Sequence, residues 1–231
     1  MRVDVIIPAL NEVRSVADVV HAVRRPPVRS VFVVDNGSTD GTGEAARRAG
    51  AQVVVEPRRG YGSACLAGIR QLPADTDVVV FIDADGSDEP ALLPVLLRPI
   101  ADGQADFVVG ARGARGVERG ALTRPQRVGN ALASRWLRAR FGLPATDLGP
   151  FRAIRRSALD AIGMSDRDYG WTVEMQIKAA RAHLRYQEVP VPYRRRVGVS
   201  KISGTMRGTI GAALKIVTLL ARYDFLRVGR A

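Results

Sequence analysis

Two carboxylates stand two residues apart at the end of an apolar run, where Asp83-Ala84-Asp85 follows Val78-Val79-Val80-Phe81-Ile82. On the turn after a strand, acids at i and i+2 can address one point. That suits a hard divalent cation, Mg2+ or Mn2+, which takes oxygen ligands and shares its shell with a diphosphate. Such a cation neutralises the charge that builds on a departing phosphate. Alone, the same acids would serve as a loop cap or as favourable charges at a helix N-terminus. Their context is a second strand end of the same kind. Asp35 follows the apolar residues 31–34 and opens Asn36-Gly37-Ser38-Thr39-Asp40-Gly41-Thr42. An acid there can accept from a base N–H, and the glycines admit close backbone approach. Two more polar turns, Pro8-Ala9-Leu10-Asn11-Glu12 and Glu56-Pro57-Arg58-Arg59-Gly60-Tyr61-Gly62, complete the set.

Elements must exist to bring these turns together. The chain has 231 residues, 46% of them hydrophobic and 25% charged, which is enough for a substantial core and excludes global disorder. Near-continuous apolar runs at 3–7, 31–34, 53–55, 78–82 and 107–109 read as strands buried on both faces. Between them, 12–24, 40–49, 62–71 and 90–100 carry apolar residues at helical spacing. The alternation predicts an open α/β sheet, in which ligands sit beyond the carboxyl ends of the strands. After Gly110 the rhythm breaks into an Arg- and Gly-rich stretch, 111–120, read as a loop and followed by a helix near 126–140. A second polar cluster runs through Thr146-Asp147-Leu148-Gly149-Pro150-Phe151-Arg152 and Tyr169-Gly170-Trp171-Thr172-Val173-Glu174, ending at Arg194-Arg195-Arg196 and Ser200-Lys201. Trp136 reads as packing, with Arg138 and Arg140 on a solvated face, and Trp171 as the lining of a sugar or lipid pocket.

Basic residues number 35 against 23 acids, a net charge of +12, and the excess is uneven. From Arg112 to Arg140 eight arginines face one acid, Glu118, whereas the first hundred residues hold most of the acids. The pattern suggests a neutral-to-acidic half joined to a basic half that meets something anionic. The single cysteine, Cys65, has no partner for a bridge, and residues 1–7 lack the plan of a signal peptide, so a cytoplasmic location is expected.

The ordered turns together resemble family 2 glycosyltransferases of the GT-A fold, more narrowly the dolichyl- or polyprenyl-phosphate sugar synthases, over residues 3 to about 205. The resemblance implies a Rossmann-like, mostly parallel sheet flanked by helices, with a basic C-terminal extension. It divides the chain into a catalytic domain at 1–204, with a nucleotide-sugar half at 1–110 and an acceptor half at 111–204, and a terminal helix at 205–231. It implies a nucleoside held at Pro8, Asn11 and Glu12, with Gly37 and Gly60 in the same donor site, and Asp35 as the base-binding acid. Asp83 would face ribose or metal, Asp85 would ligate the metal, and Arg112 would lie near the diphosphate or acceptor loop. Asp147, Gly149 and Phe151 resemble an altered acceptor motif, Glu174 an acceptor-facing acid, and Arg196, Ser200 and Lys201 a basic motif that closes over phosphates. The branch often places a metal-approaching Gln after the acid pair; here Gly86-Ser87-Asp88 follows, which leaves Ser87 or Asp88 to substitute.

The activity so implied is metal-dependent, inverting transfer of a hexose from a nucleotide sugar, UDP-glucose ahead of GDP-mannose, to a polyprenyl phosphate. A phosphate acceptor is already ionised and needs cations to hold it. A soluble hydroxyl or small-metabolite acceptor, the alternative, needs a general base, for which Asp147 and Glu174 are the candidates. A basic nucleic-acid-binding protein is a distant third reading: acids at the strand ends would repel phosphate and no nucleic-acid motif is present, so no nucleic-acid partner is expected. Residues 208–221 are apolar but too short to span a bilayer. They suit an ordinary terminal helix, a homo-oligomer contact, or peripheral attachment to the inner face of a membrane.

Overall fold

Seven consecutive residues of β1 (Val3–Ala9) are buried, as a parallel strand covered on both faces requires. The computed structural model describes residues 1–198 together with Thr218 and Tyr223. Ser200, Lys201 and, apart from those two residues, the segment expected as a terminal helix at 205–231 lie outside the described residues. Around β1 the sheet adds β2 (Val28–Asp35), β3 (Gln52–Val55), β4 (Val78–Phe81), β5 (Phe107–Val117), β6 (Arg152–Arg155) and β7 (Tyr186–Tyr193), in the order β3-β2-β1-β4-β6-β5-β7. Only β6 runs against its neighbours, β4 and β5; the other pairings are parallel. The α/β, mostly parallel GT-A-like sheet expected from the sequence is present.

Side chains of β1 divide by the two-residue period of a strand. Val3, Val5 and Ile7 face a core closed by α1 (Val16–Val23), α2 (Thr42–Arg48) and α4 (Leu93–Ala101). Ile6 faces the opposite core with Phe32, Cys65, Phe81 and Met175, beneath α3 (Tyr61–Arg70), α6 (Arg156–Ile162) and α7 (Trp171–Arg181). A third cluster, around Leu137, Leu143 and Ile177, lies between α5 (Arg124–Phe141) and α7. Among the described residues no helix is long and apolar enough to cross a membrane.

Register decides where the turns meet. Ala9 pairs with Asp35 across β1 and β2, and Ile6 pairs with Phe81 across β1 and β4. The chain leaves β1 toward one side for β2 and returns on the other side as β4, which makes β1 the topological switch where such sheets bind ligands. The turns after β1, β2 and β4 therefore converge at one edge.

Four expectations change. Residues 111–120 are not a loop throughout: β5 runs on to Val117, because Ala111 and Arg112 pair with Pro190 and Val191 of β7, with a register shift before Val117 pairs with Tyr193. Strands β6 and β7 were not evident, since one is a four-residue Arg-Ala-Ile-Arg and the other carries two prolines at the sheet edge. The helix expected from residue 12 begins at Val16; the Glu12 carbonyl instead accepts from Ser15 and Val16. Trp171 lines no pocket: it is fully buried and packs edge-on against Phe81, ring centroids 5.9 Å apart.

Candidate active site

A cleft of about 260 Å³ opens at the switch point, lined by Pro8 and Ala9 at the end of β1, Leu10 and Glu12 in the turn after it, Asn36 after β2, Asp83, Ala84 and Asp85 after β4, and Arg59, Gly60, Tyr61, Ala64, Tyr169 and Arg196. Of the residues singled out in sequence, Pro8, Glu12, Gly60, Asp83, Asp85 and Arg196 share this cleft. Asn11, Asp35 and Gly37 do not line it; they shape the turns that carry its lining. Asn11, at φ 53°, donates its N–H to Ser38 Oγ at 2.9 Å and accepts from the Thr39 N–H at 2.8 Å, tying the first turn to the second. Asp35 accepts from the Ser38 N–H at 2.8 Å, and a Cβ on Gly43 would stand 2.8 Å from its other oxygen. Gly37 holds φ 84°, with Arg59 against it.

The acid pair sits under electrostatic tension. Asp83 accepts from the Tyr61 hydroxyl at 3.0 Å, yet burial and then the charge of Asp85 push its carboxyl up to about 7. Asp85 accepts from the Ser87 N–H at 2.9 Å and the Ser87 hydroxyl at 2.5 Å, which fix its orientation. Its other oxygen faces the Arg196 guanidinium at 3.5 Å, which also reaches Glu12 at 2.5 Å. The backbone of this arm is fastened beside the pair, Val197 N–H to the Asp85 carbonyl at 2.9 Å and Arg194 N–H to the Ser87 carbonyl at 2.9 Å.

Two adjacent carboxylates, Asp83 resisting ionisation through burial and then the charge of Asp85, and Asp85 already facing a guanidinium, form a donor set that fits a hard divalent cation. Ser87 spends its hydroxyl on Asp85. Asp88 is buried, and burial followed by the charges of Asp83 and Asp85 pushes its carboxyl well above the usual range. Among the described residues no cluster of three acids, histidines or cysteines forms, so waters and substrate phosphates would complete the shell.

Sequence reasoning missed Asn36, Arg59, Tyr61 and Tyr169 as individuals, although each belongs to a turn it had marked. The Asn36 side chain donates to the Glu56 and Arg58 carbonyls at 2.9 and 2.7 Å and accepts from the Gly60 N–H at 2.8 Å, locking the turn that carries Arg59 and Gly60. Gly60, at φ 134°, and Gly62 let the 165–169 loop press against the start of α3, where any Cβ would collide with the Arg167 or Asp166 carbonyl. The Arg167 and Asp168 carbonyls of that loop accept from the Ser63 and Gly62 N–H groups at 2.9 and 3.2 Å, and Tyr169 follows into the cleft.

The expected acceptor-side acids are placed differently from the acid pair. Asp147 is clamped by Arg112, side chain to side chain at 2.7 Å twice and backbone N–H at 2.7 Å. Arg112 also lies over the Tyr193 ring, 4.9 Å from its centroid. Glu174 accepts from Lys178 at 2.8 Å, the Ser165 hydroxyl at 2.5 Å, the Asp166 N–H at 2.7 Å and the Tyr223 hydroxyl at 3.3 Å. Neither acid lines the cleft. Gly149 lies against the Gly110 carbonyl, and Phe151 is core.

Comparison with known proteins places these features in context. The profile described as glycosyl transferase family 2 matches residues 4–163. An undecaprenyl-phosphate mannosyltransferase of Micrococcus luteus is 36% identical over 243 aligned residues, covering 98% of each chain. A dolichyl-phosphate hexose transferase of Haloferax volcanii is 33% identical, covering 94% of each. An uncharacterized glycosyltransferase of Mycobacterium tuberculosis is 45% identical, covering 92% of this chain and 94% of its own. Among solved structures, glucosyl-3-phosphoglycerate synthase of Mycobacterium tuberculosis, in complex with Mn2+, UDP-glucose and phosphoglyceric acid, superposes with a TM-score of 0.77 at 22% identity, covering 96% of this chain and 79% of that one. That likeness is one of fold.

Proposed function

Because the chain belongs to glycosyl transferase family 2, we propose that this glycosyltransferase moves a hexose from a nucleoside diphosphate sugar to a polyprenyl phosphate, with inversion at the anomeric carbon. The observation that carries the acceptor is the fate of the two candidate bases. Asp147 is held by Arg112, and Glu174 by Lys178 and the 165–166 backbone, so neither faces the cleft as a proton acceptor. An ionised phosphate needs no base. Full-length likeness to the undecaprenyl-phosphate and dolichyl-phosphate transferases supports the same acceptor class. UDP-glucose is the donor first suggested by the sequence, with GDP-mannose next, and likeness to an undecaprenyl-phosphate mannosyltransferase supports mannose as an alternative hexose.

In this reading an acceptor phosphate oxygen attacks the anomeric carbon as the bond to the nucleoside diphosphate breaks, and the bonding electrons leave with the diphosphate. A divalent cation, when bound, supplies charge stabilisation for that leaving group. Asp83 and Asp85 would hold it, with Tyr61 and Ser87 keeping their carboxylates oriented. Arg196 exchanges its contacts with Glu12 and Asp85 for phosphate oxygens, a planar donor suited to them. Lys201, which lies outside the described residues, is proposed to screen phosphate charge as well. Pro8, Asn36, Arg59 and Tyr169 line the same cleft and would enclose the nucleotide sugar.

Purified protein, assayed with Mn2+ or Mg2+ across UDP-glucose and GDP-mannose, with and without a short-chain polyprenyl phosphate, tests the proposal. Lipid-phosphate-dependent transfer, lost in Asp85→Ala, is the expected result. Transfer to soluble alcohols in place of the lipid phosphate would overturn the acceptor.

A further inference from the structure

Arg152 opens β6 and is fully buried, its Cζ 5.7 Å from the centre of the Phe107 ring. An arginine so enclosed ordinarily has a carboxylate beside it. Among the described residues this one has none, and main-chain carbonyls take all its hydrogen bonds. Nε donates to Gly149 at 3.1 Å, Nη1 to Thr172 at 3.1 Å, and Nη2 to Leu148 at 3.2 Å and again to Gly149. Burial disfavours the charge, and an apolar side chain beside Phe81, Phe107 and Trp171 would fill the space without that cost. What the guanidinium adds is a junction.

One joined piece is the 147–149 segment. Its Asp147 holds Arg112, and a Cβ on Gly149 would stand 2.5 Å from the Gly110 carbonyl, so the segment is pressed onto β5. Against the burial and acid repulsion that push Asp83 and Asp88 up, the Arg112 charge favours their ionised forms, which places Arg112 beside the acid end of the cleft. The other piece is the first turn of α7. Thr172 lies three residues beyond Tyr169, which lines the cleft, and Gln176, one turn later, donates to the Asp147 carbonyl at 2.8 Å. Register sets Arg152 opposite Phe81, two residues before Asp83. We propose that Arg152 is a positioning residue for transfer: by holding the Leu148, Gly149 and Thr172 carbonyls at once, it sets Arg112 relative to Tyr169, and so the acceptor phosphate relative to the donor. A planar fork has donors in fixed directions; a lysine keeps the charge and loses the directions. The inference rests on the phosphate-acceptor reading for the group that Arg112 meets.

Arg152→Lys and Arg152→Met, made in the full chain, test it through two rates measured with Mn2+: hydrolysis of the nucleotide sugar without acceptor, and transfer to a short-chain polyprenyl phosphate. In both variants transfer should fall at least about tenfold, through a raised KM for the acceptor and a lower kcat. Hydrolysis and the donor KM should stay within about twofold. A residue that only supported the core would lower both rates together with the folded fraction, so an unchanged ratio of transfer to hydrolysis would overturn the proposal. Full transfer by Arg152→Lys would overturn it as well, because the charge without the fork would then suffice. If Arg152→Met does not fold, Arg152→Lys decides alone; failure of both to fold assigns Arg152 to the core and overturns the proposal. The parent protein judges the proposed function separately. A parent that transfers to a soluble alcohol in place of the lipid phosphate sinks that reading, and the ratio is then measured with the alcohol as acceptor.

Discussion

Asp83 and Asp85 share one wall of the cleft with less positive charge than they require, Asp83 accepting from a tyrosine hydroxyl and Asp85 sharing one guanidinium with Glu12. Asp147 and Glu174, more deeply enclosed, have their charge matched by a dedicated cation and by several hydrogen bonds each. Both pairs are acids in an α/β fold, and sequence alone marks all four as candidates for chemistry. The difference lies in what the fold supplies around them. A carboxylate whose needs are met within the chain acts as a fastener, whereas a crowded pair left open to a cleft is poised to take a cation and a ligand.

The largest test of that contrast removes charge from the crowded pair. Asp85→Asn should cut transfer by about a thousandfold, on the scale of deleting one electrostatic stabiliser of a transition state, and abolish Mn2+ binding followed by electron paramagnetic resonance. Its melting temperature should hold or rise, because one of two repelling charges is gone. A marked loss of stability would place Asp85 with the fasteners and break the comparison.

Asp147→Asn should do the reverse. The Arg112–Asp147 pair is nearly enclosed, with side chains 12% and 3% exposed, and removing one partner of such a pair leaves a charge uncompensated. A loss of about 2–4 kcal/mol in urea unfolding is expected. Transfer should fall less than in Asp85→Asn, through misplacement of Arg112. If Asp147 were instead a catalytic base, activity would vanish while stability barely changed.

How much of this was legible in sequence follows from the kind of interaction involved. Strands β1 to β4 announced themselves through β-branched runs, and their carboxyl ends and the turns that follow carried the cleft residues Pro8, Glu12, Gly60, Asp83 and Asp85, because parallel topology delivers strand ends to one edge. Side-chain direction was not legible. Tyr169 and Trp171 sit two residues apart, and only the start of α7 decides that Tyr169 enters the cleft while Trp171 packs on Phe81. Pairing over long sequence distance was equally hidden: nothing local links Arg112 to Asp147, or β5 to the proline-bearing β7. The clamped state of Asp147 and Glu174 emerges only when those partners are in place.

The smallest effect sharpens the second side of the comparison. Burial would raise the Glu174 carboxyl, but hydrogen bonds from Lys178, Ser165 and the Asp166 backbone outweigh it and hold the group below its ordinary value. A depressed carboxyl stabilises the native state above the unfolded-state value and loses that contribution as pH falls through the lower folded value. Glu174→Gln should therefore be less stable than the parent by about 1–2 kcal/mol at neutral pH, with the gap closing as pH falls below about 4. Because Glu174 fastens the start of the loop that carries Tyr169 into the cleft, the variant should also raise the KM for the donor several-fold and leave kcat within about twofold. A collapse of kcat with unchanged KM would make Glu174 a participant in the chemistry and place it with Asp83 and Asp85. The pH-dependent gap in melting temperature, measured alongside, tests the fastener role independently of any substrate.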